Sequence, residues 1–215
     1  MSDVRDVSDL RLMVYDRTCI GKRAPVGLST AWSAGSVLYR GLGRIDATFG
    51  AASWDEALGW LATHEPDRRI AEIQYWGHGR WGRVLIDRDP FDVAALGAGH
   101  ALAKRVAAVR ERLVPGGEAL VWLRTCEAFG ARAGLDFAPR LADAFGARVA
   151  GHTHIIGALQ SGLHGLRPGH LPDWSADEGI AEGTPDDPKS AFESGVLRPR
   201  TVTCFAREVP ASWFA

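Results

Sequence analysis

The chain is poor in cysteine, methionine and tyrosine, with three, two and three respectively in 215 residues, and it has no surplus of either charge. Cys19, Cys126 and Cys204 are far apart and odd in number, which excludes a disulfide framework and any Cys-x-x-Cys metal site and points to a reducing compartment. Lys and Arg total 25 against 26 Asp and Glu, a formal net charge of -1, so no store of cations is available to neutralise a run of phosphates and nucleic acid is not an expected partner. A near-neutral surface permits self-association without demanding it, and the oligomeric state stays open. No apolar run is long enough to span a membrane, and the opening MSDVRDVSDLRLMVYD carries acidic residues where an export signal carries Lys or Arg. The expectation is a cytoplasmic protein without a membrane partner. What is present is 46% apolar residues and eight Trp, enough to fill one core, so the chain reads as a single domain over 1–215.

Hydrophobic patterning predicts an alternation of strands and helices. Short apolar runs at Leu10 to Tyr15, Ile45 to Phe49, Ile70 to Trp76, Ala119 to Thr125 and Ala147 to Ala150 suit buried strands. Between them, helical patterning covers Thr30 to Leu42, a stretch opened by the capping pair Ser53 and Glu56, and the recurrence Leu102, Val106, Val109, Leu113, stopped by Pro115. A last helix carries Phe137, Leu141 and Phe145 and ends on Gly146. Val84 to Ile86 reads as part of a hairpin, 157–200 as long loops, and Thr201 to Ala206 as a final strand. The fold class is therefore α/β, a three-layer sandwich with a mostly parallel central sheet between helices.

In such sheets ligands bind beyond the carboxyl ends of the strands. Two reactive residues follow buried strands there: His78 after Ile70 to Trp76, and Cys126 after Ala119 to Thr125. An imidazole beside a thiol can take its proton and later protonate a leaving amine, while Gly79 and the Cys126 amide can face a developing oxyanion.

An apolar strand ending in His-Gly (IQYWGHG) followed by one ending in Cys (ALVWLRTC) resembles the caspase-like superfamily of cysteine peptidases, which includes caspases, metacaspases, legumain, gingipains and separase. The stretch CEAFGARAGLDFAPRLADAFGARVAG is similar to bacterial caspase-like domains, with Cys, Gly, an amphipathic helix and a Gly-Ala-led strand in order. The resemblance covers about 70–157. It implies a caspase-like fold and a cysteine endopeptidase acting on a peptide or protein substrate without a cofactor or metal. Cys126 would be the nucleophile and His78 the acid/base, with Gly79 and Cys126 as oxyanion donors. The residue two before the nucleophile is acidic in members that cut after Arg or Lys. Here it is Arg124, on the same strand side as Cys126, so an acidic residue before the cut is the expectation. Trp174 is a further candidate for contact with substrate, as a cleft wall.

Plainer readings stand beside these. Cys126 can be a buried small hydrophobe, His78 a turn residue, Arg124 an ion-paired strand residue and Trp174 part of the core. Cys19 and Cys204 read as strand cysteines, and Glu127 and 177–179 as solvated. Two other functions remain open: a catalytically silent peptide-binding module on the same fold, and a metal-dependent hydrolase using His152 and His154, two apart, with His78 as a third ligand.

Overall fold

Strand β1, Leu10–Asp16, forms the second position of a six-stranded sheet in the computed structural model, which describes residues 9–20 and 27–215. Helix α1 (Leu28–Gly41) leads to β2 (Ala47–Ala51) at the outer edge. Helix α2 (Trp54–Thr63) then carries the chain back across β1 to β3 (Ile70–Trp76). A small antiparallel sheet follows, made of β4 (His78–Gly79), β5 (Arg83–Ile86) and β6 (Asp89–Asp92). After it come α3 (Ala103–Arg112), β7 (Leu120–Arg124), α4 (Ala131–Phe145) and β8 (Arg148–His152). The lateral order is β2, β1, β3, β7, β8, all parallel, with β10 (Leu163–Leu166) added antiparallel outside β8. The protein is thus mixed α/β with a mostly parallel sheet, as the alternation predicts.

The helices form where the sequence signals them. Ser53 Oγ accepts from the Glu56 amide at 3.2 Å, and the Glu56 carboxylate accepts from the Ala52 amide at 2.8 Å, satisfying two orphan donors at the start of α2. Gly146 takes the left-handed conformation (φ 59°) and returns its N–H to Ala142, closing α4. Leu58 and Leu61 of α2, Val106 and Val109 of α3, and Phe137, Leu141 and Phe145 of α4 bury against Leu12, Val14, Ile73, Tyr75, Val121, Leu123 and Val149 on one sheet face. On the other face Met13 packs with Tyr39 of α1 and Ile45. Helices therefore cover both faces; the face toward α2, α3 and α4 is apolar, while the face toward α1 also buries Glu72, Gln74 and Arg124.

The region expected as loops holds more order than its composition suggests. Besides β10 it contains β9 (Leu159–Gln160) and a hairpin of β11 (Ile180–Gly183) and β12 (Pro188–Ala191). The expected strand Thr201 to Ala206 shrinks to β13, Val202–Thr203, which pairs with β9 and stays outside the central sheet. Among the described residues no helix is long and apolar enough to cross a membrane.

Candidate active site

The register of two neighbouring strands builds the site. Parallel strands β3 and β7 pair Tyr75 with Leu123 and Trp76 with Arg124. His78 and Cys126 therefore leave the sheet at the same height, each two residues past a matched pair, at the carboxyl rim. The two exits are in close contact: a Cβ placed on Gly79 would lie 2.5 Å from Cys126 O and 2.5 Å from Thr125 Oγ1. Only glycine lets the turn after His78 approach the backbone after Cys126 this closely.

Three non-glycine residues around this contact, Trp81 (φ 25°), Glu127 (φ 56°) and Ala131 (φ 60°), have positive φ. Left-handed backbone costs a residue with a Cβ about 1 kcal/mol or more and persists where surrounding structure enforces it, often at working sites. Here the enforcing bonds are visible. The Glu127 amide donates to His154 O at 3.1 Å and the Phe129 amide to His152 O at 3.0 Å, lashing the turn after Cys126 to the chain leaving β8.

Cys126 is partly buried, and its Sγ accepts from the Ile156 amide at 3.4 Å. Burial pushes its thiol pKa up, the Ile156 amide opposes that, and the neighbouring Glu127 carboxylate adds to the rise. The shift favours the thiol over the thiolate. Glu127, read as solvated from sequence, is 9% exposed, and burial raises its carboxyl pKa against the pull of Arg80.

His78 is exposed, with its ring edge-on to Trp32 at a centroid distance of 5.6 Å. Its Nε2 lies 3.4 Å from a sulfur, and that sulfur belongs to Cys19. Cys19, expected on a strand, follows the end of β1. Asp16 Oδ1 accepts from the Thr18 amide at 2.8 Å and from Thr18 Oγ1 at 2.7 Å, and this Asx turn takes the chain off the strand just before Cys19. Since β1 and β7 flank β3, the loops beyond three adjacent strands carry Cys19, His78 and Cys126 in that order along the rim. The gap between β1 and β3 is also where the strand order reverses, the usual place for a ligand crevice in such sheets. Sequence reasoning passed over Cys19; the Asp-x-Thr turn after an apolar strand was the available signal.

The other candidates lie inside the protein. Arg124, placed by its strand parity near a specificity pocket, is 4% exposed. Its Nη1 donates to Tyr39 Oη at 2.5 Å, Nη2 points to Ala206 O at 3.4 Å, and the guanidinium lies 4.0 Å from the centre of the Trp122 ring, with Tyr39 and Trp76 also against it. The parity holds, but α1 and the segment around Ala206 cover that face, so the side chain is a buried strand residue rather than a pocket wall. Trp174, a candidate for substrate contact, is 6% exposed; its Nε1 donates to Phe129 O at 3.0 Å and its ring stacks between Phe129 and His164. It staples the 170s loop to the turn after Cys126.

His152 and His154 are both buried. His152 Nδ1 donates to Ser161 O at 3.1 Å. Burial foremost, with Arg124 and the neighbouring histidines adding, lowers its pKa to about 3, so the ring is neutral. His154 Nδ1 is 2.9 Å from Thr153 Oγ1, which donates to Glu178 Oε1 at 2.9 Å, and the same carboxylate holds His164 Nε2 at 2.7 Å. Burial favours the neutral Glu178 carboxyl, but these hydrogen bonds outweigh it and hold the pKa below its ordinary value. Glu178, expected in solvent, is thus the anchor of a buried polar cluster. Both histidines have structural partners, and among the described residues no group of three or more His, Cys, Asp and Glu is arranged to hold a metal ion.

Neither a scan against protein-family models nor a search of curated proteins returned a match for this chain.

Proposed function

We propose that the protein is a cysteine peptidase of the caspase-like kind, with Cys126 as nucleophile and His78 as acid/base. The observation that carries this reading is the β3–β7 register, which sends a thiol and an imidazole off adjacent strands at equal height, with Gly79 packed on the Cys126 carbonyl. A peptide lies across the rim. The His78 ring turns from Cys19 toward Cys126 and takes its proton, and the thiolate adds to the scissile carbonyl carbon. The oxyanion is stabilised by amides at Gly79 and Cys126, and collapse breaks the C–N bond as the imidazolium delivers the proton to the leaving amine. A water, deprotonated by the now neutral His78, then attacks the thioester and returns Cys126 to a thiol. The buried guanidinium of Arg124 takes no part in choosing the residue before the cut.

A second reading has one specific observation in its favour: the sulfur in contact with His78 Nε2 is that of Cys19, at 3.4 Å. In this alternative the reactive pair is Cys19 and His78, and Cys126 is a structural thiol bonded to Ile156.

Labelling with an electrophilic peptide ketone, followed by mass mapping, separates the two. The peptidase reading expects one adduct, on Cys126, absent in Cys126→Ala and slowed by about 10²- to 10⁴-fold in His78→Ala, the usual weight of an acid/base partner. An adduct on Cys19 transfers the assignment to the alternative pair. Equal, slow labelling of all three cysteines sinks both.

A further inference from the structure

Immediately past Gly79 the chain runs into a cleft of about 380 Å³ between the β4–β5 hairpin and the start of α4, lined by Arg80, Trp81, Arg83, Arg132, Asp186 and Asp187. The ion pairs within it leave an imbalance. Asp186 is held by Arg132 at 2.7 Å, and Asp187 by Lys189 at 2.7 Å, so both carboxylates are neutralised locally. Among the described residues neither Arg80 nor Arg83 has an acidic side chain within ion-pair distance, and both are exposed. Arg80 lies over the Trp81 ring at 4.7 Å and reaches Lys189 O at 3.4 Å, contacts that orient its guanidinium, and the acidic group that feels its charge is the buried Glu127 carboxyl, whose pKa burial raises toward the neutral form. A chain with a net charge of -1 has therefore placed two exposed guanidiniums outside any ion pair beside its candidate dyad.

We propose that this cleft binds an acidic segment of the peptide substrate, its Asp or Glu carboxylates paired with Arg80 and Arg83. The proposal rests on the peptidase reading for the word substrate, while the binding chemistry stands apart from it. Arg80 is two residues from His78, so a peptide reacting at the rim reaches the cleft within a few extended residues at about 3.3 Å each. Two guanidiniums match two carboxylates in the bidentate geometry arginine favours. They are too few for a polyphosphate backbone, which needs a longer cationic track.

The test uses the full chain carrying Cys126→Ala, so that no bound peptide is cut, and two fluorescent ten-residue peptides, one with an Asp-Glu pair and one with Asn-Gln in its place. Fluorescence anisotropy is expected to show the acidic peptide binding at least about tenfold more tightly than the neutral one, the equivalent of one good ion pair, with the preference weakening as salt is raised. Adding Arg80→Gln and Arg83→Gln removes the preference, and the unfolding midpoint stays in place because both side chains are exposed. Equal binding of the two peptides, a preference that survives both glutamines, or displacement of the acidic peptide by a single-stranded oligonucleotide at equal concentration overturns the proposal. Failure of ketone labelling at Cys126 is a separate result: it removes the peptidase reading and leaves the anisotropy preference standing or falling by itself.

Discussion

Acidification probes the buried end of β8 with a magnitude that follows from one residue. His152 is wholly enclosed, and its imidazole titrates at about 3 in the folded protein against an ordinary 6.5. Above 6.5 the ring is neutral in both folded and unfolded chains and contributes no pH dependence. As the pH falls below 6.5 the unfolded chain binds a proton that the folded one refuses, so stability drains away until the folded value near 3 is reached. Each unit of that window costs about 1.4 kcal/mol, so between about pH 7.5 and 4.5 the loss from this histidine alone is about 2.7 kcal/mol. Urea unfolding across that range measures it in wild type and in His152→Asn. Asparagine keeps an N–H for Ser161 O and cannot titrate, and its smaller volume lowers stability at every pH alike. The expected result is a variant that is weaker at neutral pH but has a flatter profile by about 2 kcal/mol or more across the window. Parallel profiles for the two proteins would refute the argument, since the acid sensitivity would then belong to other groups.

Further outcomes follow from the packing around His78 and Cys126. Gly79→Ala pushes a methyl into the Cys126 carbonyl and Thr125, so the unfolding free energy should fall by about 1–3 kcal/mol and ketone labelling should slow, whereas Gly41→Ala, with open space around it, should leave both intact. Trp174→Ala should cost about 3–5 kcal/mol in urea unfolding because the indole is a buried staple. A Trp174→Ala protein with wild-type stability and weakened peptide binding would instead return the residue to the substrate cleft. Cys19→Ala frees the His78 ring from a contact worth about 1 kcal/mol, so labelling of Cys126 should quicken by about fivefold if the imidazole serves that thiol. A slower rate would make Cys19 a helper rather than a competitor.

The sheet was readable because parallel strands covered on both faces become continuous apolar runs, and Ala119 to Thr125 is the clearest: all five residues of β7 are buried. Strand β10 was not, since its sequence, Leu-His-Gly-Leu, has no apolar run. His164 is buried only because Glu178, 14 residues on, and Arg200, 36 residues on, bond to both ring nitrogens. The same limit applies to Arg124. Strand alternation gives the face on which it lies, but what covers that face comes from Tyr39, 85 residues earlier, and from the chain near Ala206. Local pattern reports periodicity, and burial of a polar side chain is decided by partners that periodicity does not name.

The candidate site shows where that boundary falls. Three reactive residues follow the apolar strands β1, β3 and β7, so their position at the rim is available from order along the chain. Which of them touch depends on lateral order. Had β2 been inserted between β1 and β3, Cys19 and His78 would stand two strand spacings apart, about 9.6 Å, and no contact would form. Instead α1 sends β2 to the outer edge and α2 brings the chain back over β1, so β1 and β3 become neighbours and the Asp16 turn delivers Cys19 to His78. The pairing of β3 with β7 brings the strand that ends before Cys126 beside it on the other side. The contact of one imidazole with Cys19, and the exit of Cys126 from the next strand along the rim, are therefore products of strand order.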